Sequence, residues 1–182
     1  RVRVTKEFAD STVARILASP HTISPHRMAL STVNREGTSF TLIDDSFNAN
    51  PDSMKAGLNG LKAWNSNDGK EPFRVALLGA MLELGADETA LHTSIGTYAD
   101  ELGIDAIIAV GSAQDQHLDA LAQALADGAR QSQSASVDCV HDIDAAEQLV
   151  IDLARNHPDA VVLLKGSHAS GLSALAERWA KN

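Results

Sequence analysis

The run Ala106–Val110 reads AIIAV and the run Ala160–Leu164 reads AVVLL; both are continuously apolar and rich in β-branched residues. A third run of the same kind, Arg74–Leu78, contains VALL. Strands with one solvent-exposed face alternate apolar and polar side chains, whereas short continuous runs of apolar residues are typical of strands buried on both faces. These three segments predict the centre of a parallel sheet that is covered by helices.

The same alternation continues along the chain from residue 40. Two further short runs, Phe40–Asp44 and Val137–Val140, also predict strands, and amphipathic stretches separate the runs. The predicted helices are Ser53–Trp64, Asp87–Leu102, Ala113–Ala129, Ile143–Asn156 and Ser170–Lys181. Strands that alternate regularly with helices indicate a doubly wound α/β fold.

The beginning of the chain has a different pattern. Lys6–Ala18 is predicted to be a helix, and the two prolines of Ser19–His26 indicate a linker. Ala29–Arg35 alternates and is turned back by a Glu-Gly pair into the next strand, as in a β-hairpin. The hairpin adds an antiparallel edge strand, so we predict a Rossmann-like, doubly wound, mostly parallel sheet of about six strands.

Composition limits the class of partner. The 182 residues include 15 Lys and Arg against 24 Asp and Glu, which gives a net charge of −9. This balance disfavours bulk electrostatic binding to nucleic acid, which needs a basic face. No apolar run approaches the ~20 residues of a membrane helix, and the N-terminus does not resemble a signal peptide. We therefore expect a cytoplasmic protein with no nucleic-acid partner and no membrane span.

Several common catalytic motifs are missing from the sequence. There is no GxxxxGKS/T phosphate loop, no GxGxxG after a strand, no HExxH or CxxC metal spacing and no GxSxG elbow. The single cysteine, Cys139, excludes an intrachain disulfide, and its apolar surroundings favour burial over reactivity. Because the chain begins with Arg rather than Met, we interpret it as a piece of a longer protein.

Polar side chains follow the Phe40 strand, at the carboxyl end where ligands of open parallel sheets bind. Asp45 could accept both hydroxyls of a ribose, and Asn48 and Asn50 could bind a base edge or an amide. The same residue types also form turns and helix starts. The residues alone leave both interpretations open.

The last strand also ends in polar residues. Lys165, beside Gly166, could hold a carboxylate or a phosphate, or could be a solvated lysine in an exposed turn. Ser167 is expected to be the N-cap of the following helix.

Four other residues have both a functional and a structural interpretation. His92 and His168 are candidate acid–base groups, although a lone histidine is more often structural. Glu83 could bind a substrate amine or pair with a surface cation, and Arg27 could reach a phosphate or cap a hinge.

Four stretches, taken together, resemble the Mur ligase family. The most specific is Asp44–Met54, DDSFNANPDSM, which resembles the opening of the family's C-terminal domain. The other three are His26-Arg27-Met28, similar to the hinge motif GRM; LLGAMLELG at Leu77–Gly85 with His92 and Gly96, similar to LGDMxELG…H…G; and LLKGSHASGLSAL at Leu163–Leu175, similar to VKGSRxxxME.

The resemblance implies an ATP-dependent ligase of cytoplasmic peptidoglycan synthesis, and hence of cell-wall biogenesis, cell shape and cell division. In the family, ATP phosphorylates a peptide carboxylate, an incoming amine attacks the acyl phosphate, and Mg²⁺ neutralises the developing charge. Other ligases of the family usually have a His in the loop whose sequence is NANP here. The sequence NANP is similar to that of the branch of the family that adds D-Ala-D-Ala to UDP-N-acetylmuramoyl-tripeptide.

The resemblance also implies a division of the chain. Residues 1–25 would be the tail of a central ATPase domain with a linker, and residues 26–182 the C-terminal domain. In the family, the phosphate loop, a carbamylated lysine and most metal ligands belong to the central domain. We therefore assign no catalytic residue or metal ligand within this chain, and expect it to be inactive by itself.

By the same resemblance, the ATP-binding residues are Arg27 near the phosphates, Asp45 at the ribose, and Asn48 and Asn50 near the nucleotide. The residues expected to bind the dipeptide are Lys165, Gly166, Ser167, His168 and Glu83. Ala80 and His168 stand where the family pattern has an acidic residue and an arginine. The alternatives are a stand-alone Rossmann-like module that binds a nucleotide or other ligand without catalysis, and a sibling Mur ligase.

Overall fold

The computed structural model describes residues 26–65, 69–132 and 134–181. The predicted helix Lys6–Ala18 and all but the last residue of the predicted linker lie outside the described residues. The strands are Ala29–Arg35 (β1), Thr38–Asp45 (β2), Arg74–Gly79 (β3), Ala106–Val110 (β4), Ser136–Val140 (β5) and Val161–Lys165 (β6). The α-helices are Pro51–Ala63 (α1), Glu88–Glu101 (α2), Gln116–Ala129 (α3), Ile143–Asn156 (α4) and Leu172–Ala180 (α5).

The strands form a six-stranded sheet in the order β1-β2-β6-β3-β4-β5. β1 pairs antiparallel with β2, and every other neighbouring pair is parallel. This confirms the predicted fold, including the antiparallel edge hairpin. After β5 the chain crosses back over the sheet and inserts β6 between β2 and β3.

Two apolar cores lie on opposite faces of the sheet. Because successive side chains of a strand point to opposite faces, Ala76 and Leu78 pack with α1, α2 and α3, whereas Val75 and Leu77 pack with α4 and α5. Every residue of β3, β4 and β6 is buried. The continuous apolar runs are therefore strands covered by helices on both faces, as their sequence predicts.

Helix ends differ from the predicted bounds where local hydrogen bonds intervene. α3 begins at Gln116, because the side chain of Asp115 accepts the backbone N–H groups of His117 and Leu118. α5 begins at Leu172 rather than Ser170. The intervening residues, His168–Ser170, form a 3₁₀ turn that ends at Gly171, whose φ of 76° favours glycine.

Cys139 lies half-buried on β5 rather than fully buried. Burial raises the pKa of its thiol, which keeps the sulfur protonated and poorly nucleophilic near neutral pH. Among the helices that the structure describes, none is long and apolar enough to cross a membrane.

Candidate functional site

The carboxyl ends of β2 and β6 form a switch point of the sheet. The helix that follows β2, α1, packs on one face, and the helix that follows β6, α5, packs on the other. Chains that diverge in this way leave a crevice between the two strand ends, where doubly wound proteins bind ligands. The strand register places Asp45 directly beside Lys165 at this crevice.

A pocket of ≈ 190 Å³ opens at the crevice. It is lined by Arg27, Asp45, Phe47, Asn48, Ala49, Asn50, Ser53 and Lys165. All four residues predicted to bind ATP therefore lie together, and Lys165, which was predicted to bind the dipeptide, lies among them.

Asp45 and Lys165 form an ion pair at the base of this pocket. Nζ of Lys165 donates to Oδ2 of Asp45 at 2.6 Å and to the backbone oxygen of Asn48 at 3.2 Å. The lysine side chain is only 1% exposed, and the aspartate 17%. Taking an ammonium out of water is costly unless it is paired and hydrogen-bonded, and both conditions are met here. The interpretation of Lys165 as a solvated lysine is therefore wrong.

The segment His26–Met28, which precedes β1, is bonded to the loop after β2. His26 and Met28 have φ values of 62° and 48°, a left-handed conformation that favours glycine. Their contacts compensate for the strain: Nδ1 of His26 lies 2.7 Å from Oδ2 of Asp44, and the N–H of Met28 donates to Oδ1 of Asp45 at 3.3 Å. Between them, the exposed guanidinium of Arg27 stacks 4.2 Å from the ring centroid of Phe47.

Asn48 and Asn50 both have a local structural role. Oδ1 of Asn48 accepts the N–H of Ala49 at 2.8 Å. Asn50 caps α1, with its Oδ1 accepting the N–H of Ser53 at 2.8 Å while Ser53 Oγ accepts the N–H of Asn50. Both asparagines are exposed and line the pocket, and these bonds use the side-chain oxygen rather than the NH₂ group.

The loop after β6 is tightly packed. Gly166 lies against Gly79, since a Cβ at position 166 would stand 2.9 Å from the Cα of Gly79. Ser167 is buried, with its N–H bonded to the oxygen of Ala80 at 2.9 Å, and its Oγ has no partner among the described residues. It therefore precedes a 3₁₀ turn without capping it through the side chain, contrary to the predicted helix N-cap.

His168 and Glu83, also predicted to bind the dipeptide, are exposed and do not line the pocket at Asp45. A second cavity, of ≈ 260 Å³, lies on the other side of the β6 loop. Its lining includes Gly111, Ser112, His141 and the segment 169–171. The loop after β6 therefore separates two cavities at the same edge of the sheet.

Comparisons with known proteins agree with these motifs. The family model described as Mur ligase, glutamate ligase domain, matches residues 26–168. The chain belongs to the Mur ligase family. UDP-N-acetylmuramoyl-tripeptide–D-alanyl-D-alanine ligase of Mycobacterium leprae is 37% identical over 174 residues, covering 91% of this chain and 32% of the relative. The ligase of the same name from Mycobacterium tuberculosis H37Rv is 38% identical over 173 residues, covering 91% and 33%. The chain thus spans about one third of the length of these relatives.

Solved structures show the same fold. A crystal structure of MurF from Acinetobacter baumannii has a TM-score of 0.65 at 24% identity, covering 88% of this chain and 31% of that chain. MurF from Thermotoga maritima in complex with ADP has a TM-score of 0.58 at 21% identity, covering 87% and 31%.

The Mur ligase motif LLGAMLELG…H…G has a structural explanation here. His92 is fully buried; its Nδ1 lies 2.7 Å from the oxygen of Glu88 and its Nε2 accepts the N–H of Met81 at 2.9 Å. This pattern requires the neutral ring with the proton on Nδ1. Burial lowers the pKa of His92, which reinforces the neutral form. His92 therefore fixes the loop after β3, and its structural interpretation is the one that the geometry supports.

The departure from the Mur ligase pattern at Ala80 also has a physical reason. Ala80 is buried against Leu118 and Leu121. A carboxylate at this position would lose its hydration inside an apolar cluster. Alanine is therefore the side chain that this packing accommodates.

Two residues of the site had no role in the sequence-based prediction. Phe47 is 47% exposed and supports Arg27, and an aromatic residue inside an otherwise polar ligand loop was the available signal. Asp44 accepts both the N–H and the hydroxyl of Ser46 and contacts His26. Its role depends on a contact across 18 residues of sequence, which no local pattern indicates.

Proposed function

We propose that this chain is the C-terminal domain of a cytoplasmic, ATP-dependent ligase that adds D-Ala-D-Ala to UDP-N-acetylmuramoyl-tripeptide. This domain would bind the nucleotide and close over it. The observation that carries the proposal is 37% identity to a ligase of that name over 91% of the chain. The pocket at Asp45 supports it independently, because it combines the residue types that a nucleoside phosphate requires. The activity itself belongs to the whole protein, of which this chain would supply about one third.

The nucleotide would bind in the pocket at Asp45. A carboxylate has about four lone-pair positions, and Asp45 uses two of them within the protein, so its oxygens can still accept ribose hydroxyls. Arg27, exposed and supported by Phe47, is placed to reach a phosphate. The two cations and one carboxylate that line the pocket leave it with a net positive charge, which suits an anionic ligand.

The dipeptide would bind on the other side of the β6 loop. Gly166 and Ser167 shape this loop, and exposed His168 stands near its start, where a ring N–H would donate to the dipeptide carboxylate. A histidine cannot form the bidentate contact of an arginine, so we expect weaker carboxylate binding than an arginine would give. Glu83, exposed after β3, would attract the dipeptide amine.

The contribution of this domain to the reaction would be positional. Closure onto a central ATPase domain would bring the amine to the activated carboxylate and exclude water. In the family the phosphate loop and most metal ligands belong to the central domain, which would therefore hold the ATP phosphates and Mg²⁺. The chain by itself should therefore fold without turning over ATP.

The proposal is tested by offering the full-length protein a mixture of amines with ATP and UDP-N-acetylmuramoyl-tripeptide. D-Ala-D-Ala, L-lysine, D-glutamate and L-alanine would compete, and mass spectrometry would identify the amide product. We expect the D-Ala-D-Ala adduct alone. A product from another amine would indicate a sibling ligase. Nucleotide binding with no product would leave the stand-alone binding module.

A further inference from the structure

Lys165 is engaged along its whole length. Two of its three ammonium donors are used, by Oδ2 of Asp45 and the oxygen of Asn48. Its aliphatic stem passes over α1 so closely that a Cβ on Gly57 would lie 2.8 Å from Cδ of the lysine. With 1% of the side chain exposed, a dipeptide has almost no access to it.

The ammonium determines what Asp45 can do. It holds one carboxylate oxygen, while the N–H of Met28 holds the other, so the carboxylate plane is fixed at the pocket wall. It also neutralises the one negative charge that lines the pocket. Without it, a partly buried carboxylate would repel the phosphates of an approaching nucleotide, and this repulsion is strong where water is excluded.

The second bond of Lys165 extends this effect to the loop. Its contact with the oxygen of Asn48 fixes the backbone between Asp45 and the cap of α1. The same loop carries Phe47, whose N–H donates to the oxygen of His26 at 3.0 Å. Lys165 thus stabilises Asp45, the loop after β2 and the segment His26–Met28 as one unit.

We infer that Lys165 is a positioning residue for the nucleotide, acting through Asp45 and the loop after β2, and that it does not contact the dipeptide. The inference rests on the proposed function for its substrates. It changes the role that the family resemblance suggested for this lysine, from dipeptide binding to nucleotide binding.

The test compares Lys165→Met with wild type in the full-length protein, measuring kcat and the separate KM values for ATP and D-Ala-D-Ala. We expect KM for ATP to rise about tenfold or more, as for loss of a charge-assisted bond, while KM for the dipeptide stays within about twofold. Arg74→Met is the matched control. Arg74 is also a buried cation, but it binds backbone oxygens at the opposite end of the sheet, so neither KM should change.

A double-mutant cycle tests whether Lys165 acts through Asp45. In the Asp45→Asn background, Lys165→Met should raise KM for ATP by clearly less than the tenfold expected in wild type, because only the loop contact to Asn48 remains to be lost. Multiplicative effects, or a raised KM for the dipeptide with an unchanged KM for ATP, would overturn the inference. If the methionine variant does not accumulate as folded protein, Gly57→Ala displaces the lysine stem by crowding and should give the same pattern.

ADP titration by calorimetry separates the inference from the proposed function. If wild type does not join D-Ala-D-Ala, the proposed function fails. In that case ADP binding alone tests the inference. A loss of about tenfold in ADP affinity in Lys165→Met supports it, and an unchanged affinity overturns it.

Discussion

Nε2 of His92 accepts the backbone N–H of Met81 at 2.9 Å, which fastens α2 to the loop after β3. On its other side the imidazole ring donates to the oxygen of Glu88 at 2.7 Å. This fully buried ring cannot take a second proton on Nε2 without losing the hydrogen bond from Met81. His92 therefore links the stability of the domain to pH.

The pH dependence has a defined sign. Burial lowers the pKa of His92 below its ordinary value of 6.5, so the unfolded chain takes up the proton more readily than the folded one. The stability that neutral His92 contributes is complete above pH ~6.5 and is lost as the pH falls below it. We expect the difference in free energy of unfolding between wild type and His92→Gln to shrink from pH 8 to pH 5. Urea unfolding measures it, and a constant difference would contradict the account.

Close contact between α2 and α3 gives a second prediction. A Cβ on Gly96 would lie 1.9 Å from the oxygen of Leu125, and one on Gly128 would lie 2.0 Å from the oxygen of Thr93. Gly96→Ala must push the helices apart, at a cost of about 1–3 kcal/mol or more. Thermal unfolding should show a lower Tm for Gly96→Ala and little change for Ser94→Ala, which is exposed on the same helix. Equal Tm values would show that the helix contact is looser than described.

Substitutions at Asn50 can distinguish its role as the cap of α1 from its proposed role in nucleotide binding. Asn50→Asp keeps the oxygen that caps α1 but replaces the NH₂ donor with a negatively charged oxygen in the pocket, so stability should be retained while KM for ATP rises roughly threefold or more. Asn50→Ala loses both, and stability should also fall by about 1 kcal/mol. If Asn50→Asp leaves KM for ATP unchanged, Asn50 is a helix cap only.

The ring of Phe47 is expected to affect nucleotide binding through Arg27. Phe47→Leu keeps an apolar side chain but removes the ring face over which the guanidinium lies, at 4.2 Å. A cation–π contact at an exposed site is worth a small amount, so kcat/KM for ATP should fall about two- to fivefold with no change in Tm. Leu30→Ala removes another exposed apolar side chain and serves as the control. A fall in kcat/KM for both variants would indicate a nonspecific surface effect.

The fold was predictable because its signals are local. Apolar runs such as Ala106–Val110 identify buried strands, and helices between them indicate a parallel sheet. The order of the strands is not a local property. Nothing in the composition of Val161–Lys165 indicates that it inserts between β2 and β3.

That insertion limited the prediction of the site. Asp45 and Lys165 are 120 residues apart in sequence, and only the register of β2 with β6 joins them. The residue types indicated a ligand-binding strand end at each position but not one shared pocket. Ser167 stands at the N-cap position of the 3₁₀ turn His168–Ser170 rather than of an α-helix, and its hydroxyl makes no cap bond, while its N–H donates to the oxygen of Ala80.

Dipeptide-dependent phosphate release by the full-length protein, measured for wild type beside Asp45→Ala, tests the central claim most directly. Asp152→Ala removes an exposed carboxylate on α4 and is the matched control. We predict that wild type and the control release phosphate only when UDP-N-acetylmuramoyl-tripeptide and D-Ala-D-Ala are both present. In Asp45→Ala, KM for ATP should rise about tenfold or more. Phosphate release that does not depend on D-Ala-D-Ala, or an unchanged KM for ATP in Asp45→Ala, would contradict the account.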